Sequence, residues 1–344
     1  MTENTTRPGP TTMVGGPYFD ELEVGCVFDD APSVTLTEGL AATHQAILGD
    51  RLRLPLDRRL AHAVTGGTVA HPGLVTDVAI GQSTVVTHHV KANLFYRGLR
   101  LLSAPRIGDT LTTRTEVVGL KSNRPKPGRA ATGLAALRMT TTDQDGRTVL
   151  DFYRCAMLPV AEGVDPNSCA HTDDLSTIGT GGERPWTAPE GWDLDAYHSA
   201  VPGARDPLPV EGTVLRTGAD VVTSAPELAR LTLNIAETHH DARISGSGRL
   251  VYGGHTIGLA LAQATRALPA MLTVLGWHAC DHVGPVREGD TLSSDVVVGA
   301  ATALPDGGTA LDLRSLVTAH REDGDSPVLD WAYTVLVPRD RSPG

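Results

Sequence analysis

The sequence predicts an α+β protein written twice in tandem, each copy an antiparallel sheet wrapped round a central helix. Three observations carry this: short motifs recurring at nearly constant spacing, an apolar helix after one of those motifs, and long strands following each helix.

The repeat comes first. Gly108-Asp109-Thr110-Leu111 recurs as Gly289-Asp290-Thr291-Leu292, an offset of 181 residues. Gly67-Thr68-Val69-Ala70-His71-Pro72-Gly73 faces the segment Gly248 to Gly254 at the same offset. Val149-Leu150-Asp151-Phe152 matches Val328-Leu329-Asp330-Trp331 at 179. Three matches in one order make duplication the simplest reading.

Each copy then follows one plan. An extended opening (Tyr18 to Asp29 in the first copy) leads to a helix start marked by Thr37 with Glu38, and by Ser224 with Glu227 in the second. The Gly-containing motif next opens an apolar helix. In the second copy it is expected from about Thr256 to Leu268, apolar nearly all round and stopped by Pro269. Strands are expected over Thr110 to Leu120, Ala131 to Thr142 and Val149 to Leu158. Their partners are Thr291 to Gly299, Thr309 to His320 and Val328 to Val337. Residues 17–160 and 194–338 thus form two domains, and the Pro-, Gly- and Asp-rich segment 161–193 reads as an extended linker. Its Gly179-Thr180-Gly181-Gly182 is no dinucleotide fingerprint, because no strand precedes it and Arg184-Pro185-Trp186 follows.

Composition bounds the function. The 344 residues suit two domains, and a net charge of −11 opposes nucleic acid and anionic membrane as partners. Cys26, Cys155, Cys169 and Cys280 are scattered and read as reduced thiols, which points to the cytoplasm. Met1 to Gly16 lacks the basic and apolar regions of a signal peptide, and Ile257 to Trp277 is interrupted by Gln263, Arg266 and Pro269. No P-loop lysine, G-x-S-x-G or redox Cys pair occurs, so kinase, serine-hydrolase and thiol-oxidoreductase readings have no support.

The stretch Asn234-Ile235-Ala236-Glu237-Thr238-His239-His240-Asp241, followed by Arg249 to His255, resembles the hydratase motif of MaoC-like hot-dog dehydratases. The Gly-Asp-Thr-Leu strand starts, Tyr252 to His255, and the ending Asp330 to Pro338 also look like this family, in particular its two-copy mesaconyl-CoA hydratase/β-methylmalyl-CoA dehydratase branch. The likeness covers about residues 17–338 and implies a tandem double hot-dog fold.

The resemblance implies reversible hydration of an enoyl-CoA, or dehydration of a 3-hydroxyacyl-CoA. His239 would move the proton, since an imidazole titrates near working pH, and Asn234 would orient the water. Gly253 and Gly254, at the helix start, would let a thioester approach the backbone N–H groups that hold oxyanion charge. His255, one turn in, is a candidate substrate contact. Asn234 stands where the family usually has Asp, so a single ionisable group remains at the motif. In the first copy, Asp50 aligns with Asn234 and Pro55 with His239; proline cannot transfer a proton, so this copy is expected to be catalytically silent, a scaffold for the CoA arm.

Neither a cofactor nor a metal is expected, CoA entering only as part of the substrate. His278 and His282, with His239, His240 and Asp241, invite a metal reading, but strand residues four apart lie ~13 Å from one another. Arg287 is either a solvated side chain or a contact for a CoA phosphate. Two rival functions stay open: a pathway-specific dehydratase or cyclase on a carrier-protein-bound intermediate, and a non-catalytic acyl-binding subunit. Homodimerisation is compatible with either.

Overall fold

In chain order the elements are β1 (Val27–Phe28), β2 (Val34–Thr35), α1 (Glu38–Leu48), α2 (Arg53–Leu56), α3 (Arg58–Thr65), α4 (Pro72–Gln82), β3 (Ala92–Leu101), β4 (Thr110–Ser122), β5 (Thr132–Thr142) and β6 (Thr148–Pro159). They continue with α5 (Leu194–Ala200), β7 (Val214–Arg216), β8 (Asp220–Val221), α6 (Ala225–Leu231), α7 (Gly253–Ala267), β9 (Thr273–His282), β10 (Thr291–Ala303), β11 (Thr309–His320) and β12 (Ser326–Val337). This computed structural model describes residues 15–125, 127–181, 185–204, 206–244, 248–305 and 307–339. Most of Met1 to Gly16, together with Gly182 and Arg184, lies outside the described residues.

All the strands join one sheet, ordered β1-β4-β5-β6-β3-β9-β12-β11-β10-β7, with β2 on β4 and β8 on β10. The order of the first half mirrors that of the second about the antiparallel seam β3–β9, where Tyr96 pairs with Cys280 and Leu99 with Trp277. Helix α4 packs on β4, and α7 on β10, β11 and β12. One core runs through both halves, from Leu74, Val78 and Phe152 to Leu261, Trp331 and Tyr333. The fold is α+β and duplicated, as the repeat implied, and has the double hot-dog layout that the resemblance implied.

The shared motifs are turns and braces. Gly108 and Gly289 take left-handed backbone (φ 107° and 92°). The next residue's carboxylate closes each turn: Asp109 accepts from Arg106 N–H at 2.7 Å and Asp290 from Arg287 N–H at 2.8 Å. Inside each half a buried glutamine ties helix to sheet. Gln82 donates to Leu111 O and accepts from Thr113; Gln263 donates to Leu292 O and accepts from Ser294. The recurrence of Gly-Asp-Thr-Leu is thus explained by folding, with no chemistry required.

Four readings need correction. Strand β3 was not foreseen, because bulges at Asn93/Phe95 and Arg97/Arg100 break its alternation. Helix α7 begins at Gly253, a turn earlier than Thr256, so both glycines are helical. Thr37 caps α1 through a 3.1 Å bond from Leu40 N–H, but Ser224, at φ 59°, makes no such cap for α6. The described part of the 161–193 segment is no free tether: Leu175 is buried against Phe95 and Cys155, and Trp186 lies under the Arg100 guanidinium. All four cysteines are free, and no described helix is long and apolar enough to cross a membrane.

Candidate active site

The motif loop Asn234 to His239 lies between α6 and α7, and the other half of the chain anchors it. Asn234 is buried; its Oδ1 accepts from Ala236 N–H at 3.0 Å, and the neighbouring Ile235 N–H donates to Thr84 Oγ1, also at 3.0 Å. The first half repeats the device: Asp50 Oδ1 accepts from Leu52 N–H and Arg51 N–H donates to Thr265 Oγ1 at 3.2 Å. Each loop is therefore pinned to a threonine of the opposite half. His240 Nε2–H donates to the Asn234 carbonyl at 2.6 Å and braces the turn.

His239 follows in a single 3₁₀ turn. Its Nδ1–H donates to Leu250 O at 3.0 Å, which leaves Nε2 as the free lone pair. Burial pushes its pKa down to about 4, against the opposing pull of that hydrogen bond, so the imidazole is neutral. It stands edge-on to Tyr252, ring centroids 5.7 Å apart.

A cavity of about 410 Å³ opens beside His239. Its wall takes Asn234, His239, Gly253 and His282 from the second half, and Tyr96 and Arg154 from the first. Gly253 is glycine for a local reason: a Cβ there would sit 2.6 Å from His282 Nε2. Burial pushes His282 to about 4, and Tyr96 up to about 12.

The expected site residues are not all together. His239, Asn234 and Gly253 line the cavity; Gly254 and His255 do not. A Cβ on Gly254 would lie 2.1 Å from Asp77 Oδ1 and 2.5 Å from the Tyr252 ring, so this glycine admits those side chains and not a ligand. His255 is fully buried and neither ring nitrogen has a partner. With Asn234 Oδ1 held inside its own turn, only Nδ2 could reach a ligand. Arg287 stands at the cavity edge with Nη1 on Gly248 O at 2.6 Å.

The metal constellation does not assemble. His278 bonds Thr334 and Asp312, Asp241 pairs with Arg243 in solvent, and His282 alone of the strand pair faces the cavity. Elsewhere His88, His89 and Glu237 bring three donor atoms within 4.8 Å, as a carboxylate accepting from both rings.

Sequence reasoning missed Tyr96, Arg154, Tyr252 and Asp77. Tyr252 caps α7 from the cavity wall, and its hydroxyl donates to buried Asp77 Oδ1 at 3.0 Å. Asp77 Oδ2 accepts from His44 Nε2 at 3.2 Å. His44 is held below the usual imidazole range by burial, which outweighs the Asp77 contact, and so acts as a neutral donor. One signal was available: Asp77 is the only charged residue in the largely apolar α4.

No protein-family model matches the chain. Two curated relatives align along 94% of it. They are the β-methylmalyl-CoA dehydratase of Chloroflexus aurantiacus (27% identical, 97% of its length covered) and the mesaconyl-CoA hydratase of Cereibacter sphaeroides (29%, 98%). Among solved structures, a conserved hypothetical protein of Mycobacterium tuberculosis with a double hot-dog fold is 58% identical, with TM-score 0.88 over 94% of this chain and 99% of that one. A putative MaoC domain dehydratase of Chloroflexus aurantiacus is 25% identical, with TM-score 0.79 over 96% and 99%. With that fold, that motif loop and full-length similarity of this order, the chain belongs to the MaoC-like double hot-dog family.

Proposed function

We propose that the protein is a hydro-lyase that adds water to, or removes it from, the Cα–Cβ bond of an acyl-CoA thioester. The observation that carries this reading is His239: a neutral imidazole with Nδ1 tied to Leu250 O and Nε2 free at a cavity of about 410 Å³. In hydration Nε2 takes a proton from water as its oxygen bonds Cβ, and the resulting imidazolium returns a proton to Cα. Dehydration runs the same steps backward. Such proton transfer is typically worth ~10²–10⁴-fold.

The charge that builds on the thioester oxygen needs donors. The start of α7, with Gly253 in the wall, supplies N–H groups at the positive end of a 15-residue helix. Asn234 Nδ2 is the candidate to orient the water. Pro55 leaves the first half without a proton-transfer group at the matching position, so one half works while the other shapes the cavity. The two curated relatives act, by name, on mesaconyl-CoA and β-methylmalyl-CoA, which supports a short, branched, dicarboxylic acyl group over a long chain.

Enoyl-CoA thioesters watched for loss of enone absorbance test the reading. Wild type should consume one or more of them and His239→Ala should not, with unchanged circular dichroism. Equal rates in the two proteins would remove His239 from the chemistry.

A further inference from the structure

Arg154 on β6 is 3% exposed, and it lines the same cavity as His239. Nη1 donates to Ser83 Oγ at 2.8 Å and Nη2 to Thr87 Oγ1 at 3.0 Å, while Nε is buried without a partner. Both partners are neutral hydroxyls. Among the described residues no carboxylate lies within ion-pair distance of this guanidinium, whereas Asp77, bonded to Tyr252 of the cavity wall, and Glu237 of the motif loop each have partners. A buried charge left uncompensated is costly, of the order of several kcal/mol, and buried charges are as a rule paired.

Comparison with the other half shows that this cation is specific to the working site. Arg154 pairs across the sheet with Tyr96 and Leu137; Tyr333 holds the same register position, opposite Trp277 and Leu313. The motif positions differ in the reverse sense. The silent half has a carboxylate, Asp50, lowered despite burial by the neighbouring His71; the working half has the amide Asn234. Between the two sites the working one has therefore exchanged an anion for a neutral group and gained a cation. Asn234 Oδ1 is held by Ala236 N–H, and the amide adds no charge to the wall it shares with Arg154. Among the described residues that line the cavity there is no Asp or Glu to pair with the guanidinium.

From this we infer that Arg154 is a carboxylate-binding subsite: the acyl group carries a second, free carboxylate that its guanidinium recognises beside the reacting carbons. The inference rests on the acyl-thioester reading and adds to it the residue that selects the acyl group. Arg presents five N–H donors in a planar fork, of which Ser83 and Thr87 take two, so donors remain for a carboxylate.

Two pairs of thioesters test it. The first is reactive: trans-2-butenoyl-CoA with a C4 methyl, and its counterpart with a C4 carboxylate. The second is saturated and inert: butyryl-CoA and succinyl-CoA, measured by calorimetry. Wild type should favour the carboxylated member of each pair by about 10²-fold. Arg154→Met should collapse both preferences at least tenfold, chiefly through KM, and Arg154→Lys should restore part of them.

No preference in wild type, or an equal loss on both members in Arg154→Met, overturns the subsite, since CoA phosphates and the thioester oxygen are common to all four compounds. If the inert pair shows Arg154-dependent preference but neither reactive thioester turns over, the subsite stands and the hydro-lyase reading fails. Turnover without preference has the opposite meaning, and absence of both binding and turnover removes both. Should Arg154→Met misfold, an absent wild-type preference still overturns the subsite, and Arg154→Lys carries the assignment: a reduced preference supports it and an unchanged one overturns it.

Discussion

The hydroxyl of Tyr252 donates to the carboxylate of Asp77 at 3.0 Å across 175 residues of sequence, both groups buried. Tyr252 is the N-cap of α7 and a wall of the cavity, with its ring beside His239; Asp77 belongs to α4 in the first half. The first half therefore holds the second half's helix start in place, and several outcomes can be measured from this arrangement.

Removing the bond should show on stability before chemistry. Tyr252→Phe leaves one oxygen of a buried carboxylate without its donor, which costs about 1–3 kcal/mol. The midpoint of urea unfolding should fall accordingly. A wild-type midpoint would mean that Asp77 finds another donor.

Gly254→Ala forces a Cβ to 2.1 Å from Asp77 Oδ1 and into the Tyr252 ring. Overpacking of this kind typically costs 1–3 kcal/mol, and here it displaces the residue beside His239 as well. Loss of both thermal stability and turnover is expected. Gly25→Ala, at φ 94° with open space around it, should pay only for its backbone conformation and keep its turnover.

The acid limb of activity should lie well below that of an ordinary histidine. Proton transfer to His239 requires the neutral ring, and burial lowers its pKa from 6.5 to about 4. In a kcat/KM profile the rate should stay level as pH falls through 6.5 and drop only near 4, within the range where the protein remains folded. A limb centred on 6.5 would place a different group, or a hydrated His239, in the rate-determining step.

Stability should decline over a similar window. His255 is fully buried, both ring nitrogens lack partners, and its pKa is lowered to about 4. Above pH 6.5 neither the folded nor the unfolded chain protonates it, so its contribution is fully present there. Between 6.5 and about 4 the unfolded chain binds a proton that the folded one refuses, and stability falls with pH. Below that the loss levels off at on the order of 3 kcal/mol. His255→Leu should flatten the dependence of the urea midpoint between pH 7 and 4.5. An unchanged slope would assign the acid sensitivity elsewhere, with His282 the next group to test.

Much of the fold was written locally. The Gly-Asp-Thr-Leu turns need left-handed glycine and a short carboxylate side by side, so their repetition revealed the duplication and the start of each long strand. His239 and Asn234 were visible because one tight loop fixes their spacing. By contrast β3 was hidden by its bulges.

Which residues share the cavity was decided by tertiary structure alone. Tyr96 and Arg154 sit opposite each other across β3 and β6, and the β3–β9 seam brings that pair to the second half's His239 and His282. Periodicity shows that Arg154 lies on a strand, but not that it faces a site in the other half, because burial and pairing depend on contacts far away in sequence. The sequence by itself determined that His239 of the second half aligns with Pro55 of the first. Only the packing of the two halves decided that the first contributes Asp77 to support the second's helix and Arg154 to line the cavity.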